Sequence, residues 1–356
     1  MTRTLLTAAC LAALTPGALA QDRFEDLRGI EIEDVIGTVA VTFTDRADVS
    51  VETVRRGDRP VVAERRGDAL VVAGPDAVDE DGFWDLYRSG VRVGPFRMGG
   101  RGIVVRNGRD ARFEAMLEDY PSLVIEAPRG TALRVEGSAV LLTASGEAGA
   151  LRVPGNVYLR AALGDVGPAE IALRDAGAIT LGDVAGEIAV ALTGSGDVTF
   201  GDAAAAEIVV QGSGDVDGED VAGAADVTLR GSGDVSLGAV EGALTVDLRG
   251  SGDVEVAEAK GAALSLAGSG DIEIARVEGT VRAELRGSGD IDLGAGRAEP
   301  FVAVLAGSGD IRFEGTAVRP TLRANGSGDI DLAASEGAVD ARGRGIRVNG
   351  RRYGQD

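Results

Sequence analysis

Residues 231–253 read GSGDVSLGAVEGALTVDLRGSGD, one full copy of a repeated unit together with the start of the next. The tetrapeptide Gly-Ser-Gly-Asp that opens this unit occurs eight times, at steps of 18 to 20 residues. Its copies begin at Gly194, Gly212, Gly231, Gly250, Gly268, Gly287, Gly307 and Gly326. A fixed period of this length is typical of a solenoid, in which each repeat is one supersecondary unit stacked on the next.

Apolar and polar residues alternate within each unit. Leu244, Val246 and Leu248 are separated by polar residues, and a shorter alternation from Val235 to Leu237 follows the aspartate. A period of two is typical of half-buried strands, and equivalent strands of successive repeats pair about 4.8 Å apart. The sequence therefore predicts an all-β fold: a right-handed, single-stranded parallel β-helix with coils of about 19 residues.

Stacking in register places equivalent residues in columns, and we predict two apolar columns in the interior. The first lies two residues before the motif glycine and contains Leu248, Leu266, Leu285 and Leu305. The second follows the motif aspartate and contains Val198, Val216, Val235, Val254, Ile272, Ile291, Ile311 and Ile330. Because one coil cannot bury its own apolar face, neighbouring coils complete the core.

The chain divides into four predicted parts. Residues 1–20 resemble a signal peptide, with Arg3, an apolar run and the cleavage pattern Ala18-Leu19-Ala20. Residues 21–130 form an N-terminal β region that contains an aromatic-rich insertion or cap at about 76–120. Residues 131–345 form the β-helix, and 346–356 a C-terminal tail or cap that covers the other end. No later stretch is long and apolar enough to predict a transmembrane segment.

The composition excludes several classes of catalytic site. The chain has no histidine, and its one cysteine, Cys10, lies in the predicted signal peptide. Ser-His-Asp triads, histidine-bound zinc, thiolate nucleophiles and disulfides are therefore excluded from the mature chain. The formal net charge of -21 argues against nucleic acid as a partner. We predict that the protein is not an enzyme and needs no organic cofactor.

The motif aspartates are the main candidate site. Stacked coils would align Asp197, Asp215, Asp234, Asp253, Asp271, Asp290, Asp310 and Asp329 in one column. Carboxylates about 4.8 Å apart repel one another, so some interaction must offset this repulsion. In one interpretation each carboxylate accepts hydrogen bonds from its own tight turn, where glycine supplies positive φ angles. In the other, the column binds Ca²⁺, which prefers carboxylate oxygens.

A second candidate is the aromatic group Phe83, Trp84 and Tyr87. Exposed aromatic residues often mark binding surfaces, so these three are candidate contacts for a partner. In the alternative interpretation, the same rings pack on the first coil as part of a cap. The sequence leaves both interpretations open.

The chain resembles the bacterial GIN-domain family, whose members are described as autotransporter adhesin heads. The resemblance rests on the run Gly268 to Ile272 and on the segment LVIEAPRGTAL at residues 123–133. It covers about residues 121–345 and, less closely, 24–74. It implies a right-handed β-helix with no established enzymatic activity.

Together these observations predict a non-catalytic, exported protein. We expect an adhesin-like or envelope scaffold and binding module, most simply periplasmic, or else secreted or at the cell surface. Its partner would be a protein or glycan of the cell envelope. The alternative is a carbohydrate-active β-helix enzyme, a polysaccharide lyase or hydrolase, that uses outward carboxylates such as Asp247 and Glu284.

Overall fold

The computed structural model describes residues 21–89 and 113–353. The predicted signal peptide and residues 90–112 of the aromatic insertion lie outside the described residues. The structure is 61% strand and only 4% helix, and its parallel coils of about 19 residues stack into a β-solenoid of about 11 turns. The predicted fold class is therefore confirmed.

The first face of the solenoid consists of the strands that precede the Gly-Ser-Gly-Asp turns, together with the strands aligned with them in the coils that lack the motif. In chain order these strands are β2 (Gly29–Glu33), β5 (Val62–Arg66), β6 (Ala69–Ala73), β8 (Ala132–Glu136), β10 (Leu151–Gly155), β12 (Ala169–Leu173), β14 (Val184–Leu192), β16 (Ala203–Val210), β18 (Ala225–Leu229), β20 (Leu244–Leu248), β22 (Ala262–Leu266), β26 (Thr321–Ala324) and β28 (Asp340–Gly343). From β8 onward each strand pairs in parallel with its equivalent one coil away.

The second face consists of the strands that follow the turn. They are β1 (Gln21–Glu25), β3 (Ile36–Thr44), β4 (Asp48–Arg55), β7 (Ser122–Pro128), β9 (Ala139–Ser145), β11 (Tyr158–Ala162), β13 (Ala176–Thr180), β15 (Asp197–Phe200), β17 (Val216–Gly218), β19 (Val235–Val240), β21 (Val254–Ala259), β25 (Ile311–Val318), β27 (Ile330–Glu336), β29 (Ile346–Val348) and β30 (Arg351–Tyr353). Two long strands, β23 (Ile272–Leu285) and β24 (Ile291–Leu305), contribute to both faces. Short parallel bridges such as Val166 with Val184 form a narrow third face.

The core runs the length of the solenoid as one continuous cluster, from Leu27 to Val348. All members of the two predicted apolar columns are at most 1% exposed. Within a strand such as β20, buried and outward residues alternate, as the sequence pattern predicts. The core therefore consists of columns that each coil lengthens by one residue.

Antiparallel strands close both ends of the solenoid. At the N-terminal end, β5 pairs with β6 on the first face, and β1, β4 and β7 pair successively on the second. Between these strands, β2 and β3 form a coil in register with β8 and β9. At the C-terminal end, β30 turns back on β29. The antiparallel partners take up hydrogen-bonding edges that stacking alone would leave open.

The described part of the aromatic segment lies on a flank of the solenoid. It contains α1 (Glu80–Ser89) and a short 3-10 helix (Leu117–Asp119). Phe83, Phe113 and Leu117 are buried against Ala139 and Tyr158 on the outer surface of the second face, in a cluster separate from the main core. The rings of Phe83 and Phe113 pack on the first coils, as in the capping interpretation, but they lie on the outer surface of the second face and do not cover the open end.

Candidate functional site

The motif glycines are required by the close approach of successive turns. A Cβ atom on Gly212 or Gly231 would lie well under 3.0 Å from a backbone oxygen of the preceding motif. The third residue of the motif is equally confined, because a Cβ on Gly252 would meet the carbonyl of Gly233. None of these glycines is among the residues with positive φ. The prediction of positive φ angles at the motif is therefore wrong: glycine is needed here for space.

The motif aspartates form the predicted column, and we call it the first aspartate column. Each carboxylate except that of Asp329, the last in the column, accepts a hydrogen bond from the backbone N–H of the equivalent aspartate in the next coil. The Oδ1 atoms of Asp215, Asp234 and Asp271 lie 2.9, 2.8 and 2.7 Å from these nitrogens. The same bond continues to Asp310, whose Oδ1 lies 2.8 Å from the nitrogen of Asp329.

These bonds correct the interpretation in which each aspartate stabilises its own turn. The donor lies 18 to 20 residues further along the chain, so each carboxylate joins two coils. Hydrogen bonds from an N–H to an ionised carboxylate are stronger than neutral ones, and here they offset part of the repulsion between stacked charges. The column is thus one of the interactions that hold the coils together.

A second aspartate column lies at the turn between the second and third faces, and sequence reasoning missed it. It contains Asp165, Asp183, Asp202 and Asp220, which repeat the same bond at 3.1, 3.1 and 3.2 Å and end on the N–H of Ala239. A Cβ on Gly182, Gly201 or Gly238 would collide with the carboxylate of the coil before. The recurring Gly-Asp dipeptides at 164–165, 182–183 and 201–202 were the available signal.

Cations divide the first aspartate column into two halves. In the paired half, Asp290, Asp310 and Asp329, the guanidinium of Arg312 contacts the first two carboxylates, and that of Arg347 lies 3.1 Å from the third. In the acidic half no ion pair occurs among the described residues. The acidic half contains Asp197, Asp215, Asp234, Asp253 and Asp271.

A groove of about 280 Å³ lies on the acidic half. It is lined by the column together with Asp217, Ser236 and Glu255, which occupy the next outward position of successive coils. Burial raises the pKa of Asp217, and the charges of Asp215, Asp197 and Asp234 raise this pKa further. The groove therefore concentrates negative charge without a fixed cation.

The calcium interpretation stays a prediction. In the part of the chain that the structure describes, no group of three or more acidic, histidine or cysteine side chains has the arrangement of a metal site. One oxygen of most column carboxylates is engaged by the next coil, so Ca²⁺ would bind through the other oxygens. Calorimetry on EGTA-treated protein tests this binding, and the absence of heat at millimolar Ca²⁺ would refute it.

The three aromatic candidates divide between the packed cluster and its rim. Phe83 is 3% exposed and packs edge-on against Phe113, with ring centroids 6.3 Å apart. Trp84 is half-buried and contacts the rings of Phe83 and Tyr158 edge-on, at 5.2 and 6.2 Å. Tyr87 belongs to α1, but its side chain lies outside the described residues. Phe83 is therefore a packing residue, and Trp84 lines a groove.

Two carboxyl groups face each other where α1 meets the solenoid. The charge of Asp175 raises the pKa of Glu80, with burial and a hydrogen bond between the two side chains adding to it. Asp81, the next residue of α1, contributes in the same direction. Protonation of Glu80 therefore favours the contact between α1 and the solenoid.

The outward carboxylates considered for an enzyme are engaged in surface ion pairs. Asp247 lies 2.9 Å from the guanidinium of Arg249. Glu284 contacts Arg282 and lies 2.9 Å from Arg286. Such pairs on an exposed sheet contribute little to stability individually, and they supply alternating charge along the surface.

The stacked coils and the repeated glycine–aspartate turns define a parallel β-solenoid. A family model described as "Putative auto-transporter adhesin, head GIN domain" matches residues 147–259 and 260–349, more than half of the chain. The chain belongs to this GIN-domain family, as the resemblance in the sequence indicated. No curated protein sequence matches it significantly. In the described residues, no helix is both long and apolar enough to cross a bilayer.

Two solved structures are similar to the chain. One is described as a "Putative lipid binding protein" from Parabacteroides distasonis, with 14% identity over 88% of this chain and 96% of that one, and a TM-score of 0.25. The other is a "putative cell adhesion protein" from Clostridium sporogenes, with 9% identity over 64% of this chain and 98% of that one, and a TM-score of 0.20.

Proposed function

We propose that the chain is an exported, non-catalytic binding module of the bacterial envelope that acts in the manner of an adhesin. It resides in the periplasm or passes on to the cell surface or the medium. Its partner is a protein or a glycan of the envelope. Membership of the adhesin-head family supports this proposal at the level of protein class.

The observation that carries the proposal is the regular outer surface of the solenoid. The serine and the aspartate of the motif recur in eight successive coils, because the same motif turn is repeated eight times in register. A rigid surface with a short repeat suits a partner that is itself extended. The outward carboxylates considered for catalysis are instead engaged by arginines, which favours a surface role for them.

Export is tested with the full chain, tagged at its C-terminus and expressed in a Gram-negative host. We expect a mature N-terminus at Gln21 and recovery outside the cytoplasm. Leu11→Arg interrupts the apolar run of the signal and is the matched control, which should remain in the cytoplasm. Recovery of the unmodified chain in the cytoplasm, starting at Met1, would refute export.

Binding is tested with the exported protein immobilised on beads and exposed to purified envelope fractions and to a glycan array, with and without millimolar Ca²⁺. We expect saturable retention of one class of envelope component. Retention by neither preparation would refute the binding function. The same glycans are analysed for cleavage products, because turnover that Asp247→Asn abolishes would establish the enzymatic alternative instead.

A further inference from the structure

A shallow groove of about 460 Å³ lies where α1 meets the first Gly-Ser-Gly-Asp turns. Trp84 stands on one side, and Arg174 and Asp175 lie on the solenoid beside it. The floor continues along the chain of motif turns, with Ser195 and Ser213 in the first two. The groove therefore joins one aromatic ring to a surface of polar groups.

The floor of the groove is backbone whose own hydrogen bonds are satisfied. The N–H of Ser195 donates to the carbonyl of Asp175 at 2.7 Å, and the N–H of Ser213 donates to the carbonyl of Gly194 at 2.9 Å. The two serine side chains are exposed, and neither hydroxyl makes a hydrogen bond within the part of the chain that the structure describes. Each hydroxyl can both donate and accept, so these side chains offer polar contacts to a ligand.

Arg174 and Asp175 add a cationic donor and an anionic acceptor to the same groove. Small-ligand sites commonly combine aromatic surface with a few polar groups that fix orientation. Here the aromatic surface is limited to the single half-buried ring of Trp84. A ligand that fits must present one small apolar face and many hydroxyl groups.

We propose that this groove binds an uncharged glycan. The indole of Trp84 packs against the C–H face of one sugar ring, while Ser195, Ser213, Arg174 and Asp175 exchange hydrogen bonds with its hydroxyls. This inference rests on the proposed binding function and names the ligand class. An anionic glycan is disfavoured, because the carboxylates of the acidic half stand two residues beyond each serine.

A folded protein partner fits this surface less well. Stable protein–protein interfaces bury more than about 1,000 Å² and have an aromatic or aliphatic centre from which charge is depleted. The groove offers one aromatic ring and a floor of glycine and serine flanked by aspartates. Its polarity therefore matches the hydroxyl-rich surface of a sugar chain.

The serines of the motif extend the groove along the solenoid. Their column contains Ser195, Ser213, Ser232, Ser251, Ser269, Ser288, Ser308 and Ser327. Neighbouring hydroxyl oxygens lie 3.2 Å apart at Ser232 and Ser251 and 3.4 Å apart at Ser269 and Ser288. Seven steps of about 4.8 Å give a track of roughly 34 Å. A longer glycan should therefore bind more tightly than a disaccharide.

Trp84 is the single tryptophan of the chain, so its fluorescence reports on this groove alone. The exported protein is titrated with neutral oligosaccharides of two to eight units, built from glucose, xylose, mannose or galactose, and with alginate oligosaccharides as the anionic comparison. We expect saturable quenching or a shift of emission with at least one neutral series, an affinity that rises with chain length, and no response to alginate. No response to any neutral series would overturn the proposal.

Paired variants locate the binding. The double variant Ser195→Ala with Ser213→Ala should weaken the affinity about tenfold, because it removes two hydrogen-bonding groups. The matched double variant Ser308→Ala with Ser327→Ala, at the far end of the track, should leave disaccharide binding unchanged and weaken only the longest chains. Both variants keep Trp84 as the reporter, and far-UV circular dichroism checks the fold.

The outcomes separate this proposal from the binding function on which it rests. If beads retain an envelope component while Trp84 fluorescence responds to no neutral glycan, the binding function stands and the groove proposal fails. The groove proposal also fails if neutral glycans bind but the double variant at Ser195 and Ser213 lowers their affinity no more than the control variant at Ser308 and Ser327. If the component retained is a protein, and Trp84→Phe abolishes its retention, the groove is a protein-binding site and the glycan proposal fails.

Discussion

The acidic half and the paired half of the first aspartate column have the same backbone but different surroundings. The bonds between coils are alike, at 2.8 Å from Asp234 to the nitrogen of Asp253 and 2.7 Å from Asp290 to the nitrogen of Asp310. Arg312 and Arg347 contact only the paired half. The turns therefore stack without cations, and the unneutralised charge of the acidic half is a property of the surface that the fold does not require.

The largest effect is expected from a motif glycine, and it should be the same in both halves. Gly252→Ala and Gly309→Ala each direct a Cβ at the carbonyl oxygen of the coil before. The turn can make room for the Cβ only if two coils move apart. Each variant should therefore lower the unfolding free energy, measured in urea, by about 3 kcal/mol. The exposed neighbours Ser251 and Ser308, changed to alanine, are the controls and should change it by less than about 0.5 kcal/mol.

A large difference between the two glycine variants would contradict this equivalence. If Gly309→Ala left the unfolding free energy unchanged while Gly252→Ala lowered it, the arginines would be the main interaction that stabilises the stacked coils of the paired half. The stability of a solenoid is a sum of coil terms and nearest-neighbour terms, so a variant can unfold in parts. The m value of the urea transition is therefore compared as well as its midpoint, because partial unfolding changes the m value.

The next effect separates the halves. Asp310→Ala removes both the acceptor for the N–H of Asp329 and a partner of Arg312, and should cost about 2 kcal/mol. Asp253→Ala removes the equivalent acceptor but also relieves repulsion, so it should cost only about 1 kcal/mol. Thermal and urea unfolding measure both, and Asp253→Asn, which keeps an acceptor oxygen, is the control. Equal losses would show that the arginines do not stabilise the column.

Sequence reasoning predicted the columns because the repeat itself specifies them. Once the period is known, alternation around Leu248 and Val254 determines which side chains lie inside. The reason why the motif needs glycine could not be predicted from the repeat. A Cβ at these positions is excluded by the backbone of the preceding coil, and not by a local preference for positive φ. The recurring Gly-Asp pairs indicate the column from Asp165 to Asp220 in the sequence. They do so only if the turns of successive coils are assumed to stack as closely as the strands.

The position of the aromatic cluster was not predictable from the repeat. Alternation indicates that Ala139 and Tyr158 face outward, but it does not indicate what covers them. Phe83 and Trp84 are adjacent in sequence and both are aromatic, yet Phe83 is buried whereas Trp84 lines the groove. That difference depends on how α1 lies against the solenoid, and a single sequence does not specify this contact.

Exchanging charge between the halves should have a smaller effect. Ser236 lies between Asp217 and Glu255 at the outward position beside the acidic half. Arg312 lies between Asp292 and Asp331 at the same outward position beside the paired half. Arg312→Ser should cost about 1 kcal/mol, and Ser236→Arg should add about 0.5 kcal/mol. Both changes should shrink in 1 M salt, which screens exposed pairs. A stabilised protein that is insensitive to salt would contradict the electrostatic explanation.

The smallest effect depends on pH. The raised pKa of Asp217 means that the folded state holds this proton more tightly than the unfolded chain does, so its ionised form lowers stability at pH 7. Asp217→Asn should therefore raise the unfolding free energy at pH 7 by up to about 0.5 kcal/mol. This gain should vanish as the pH falls through the raised pKa to below about 3.9, the ordinary value for aspartate. Asp331 occupies the equivalent outward position beside the paired half, so Asp331→Asn loses an ion pair with Arg347 at 2.9 Å and should lower stability at pH 7. Thermal melts of the two variants between pH 3 and 8 test the comparison, and changes of the same sign at pH 7 would contradict it.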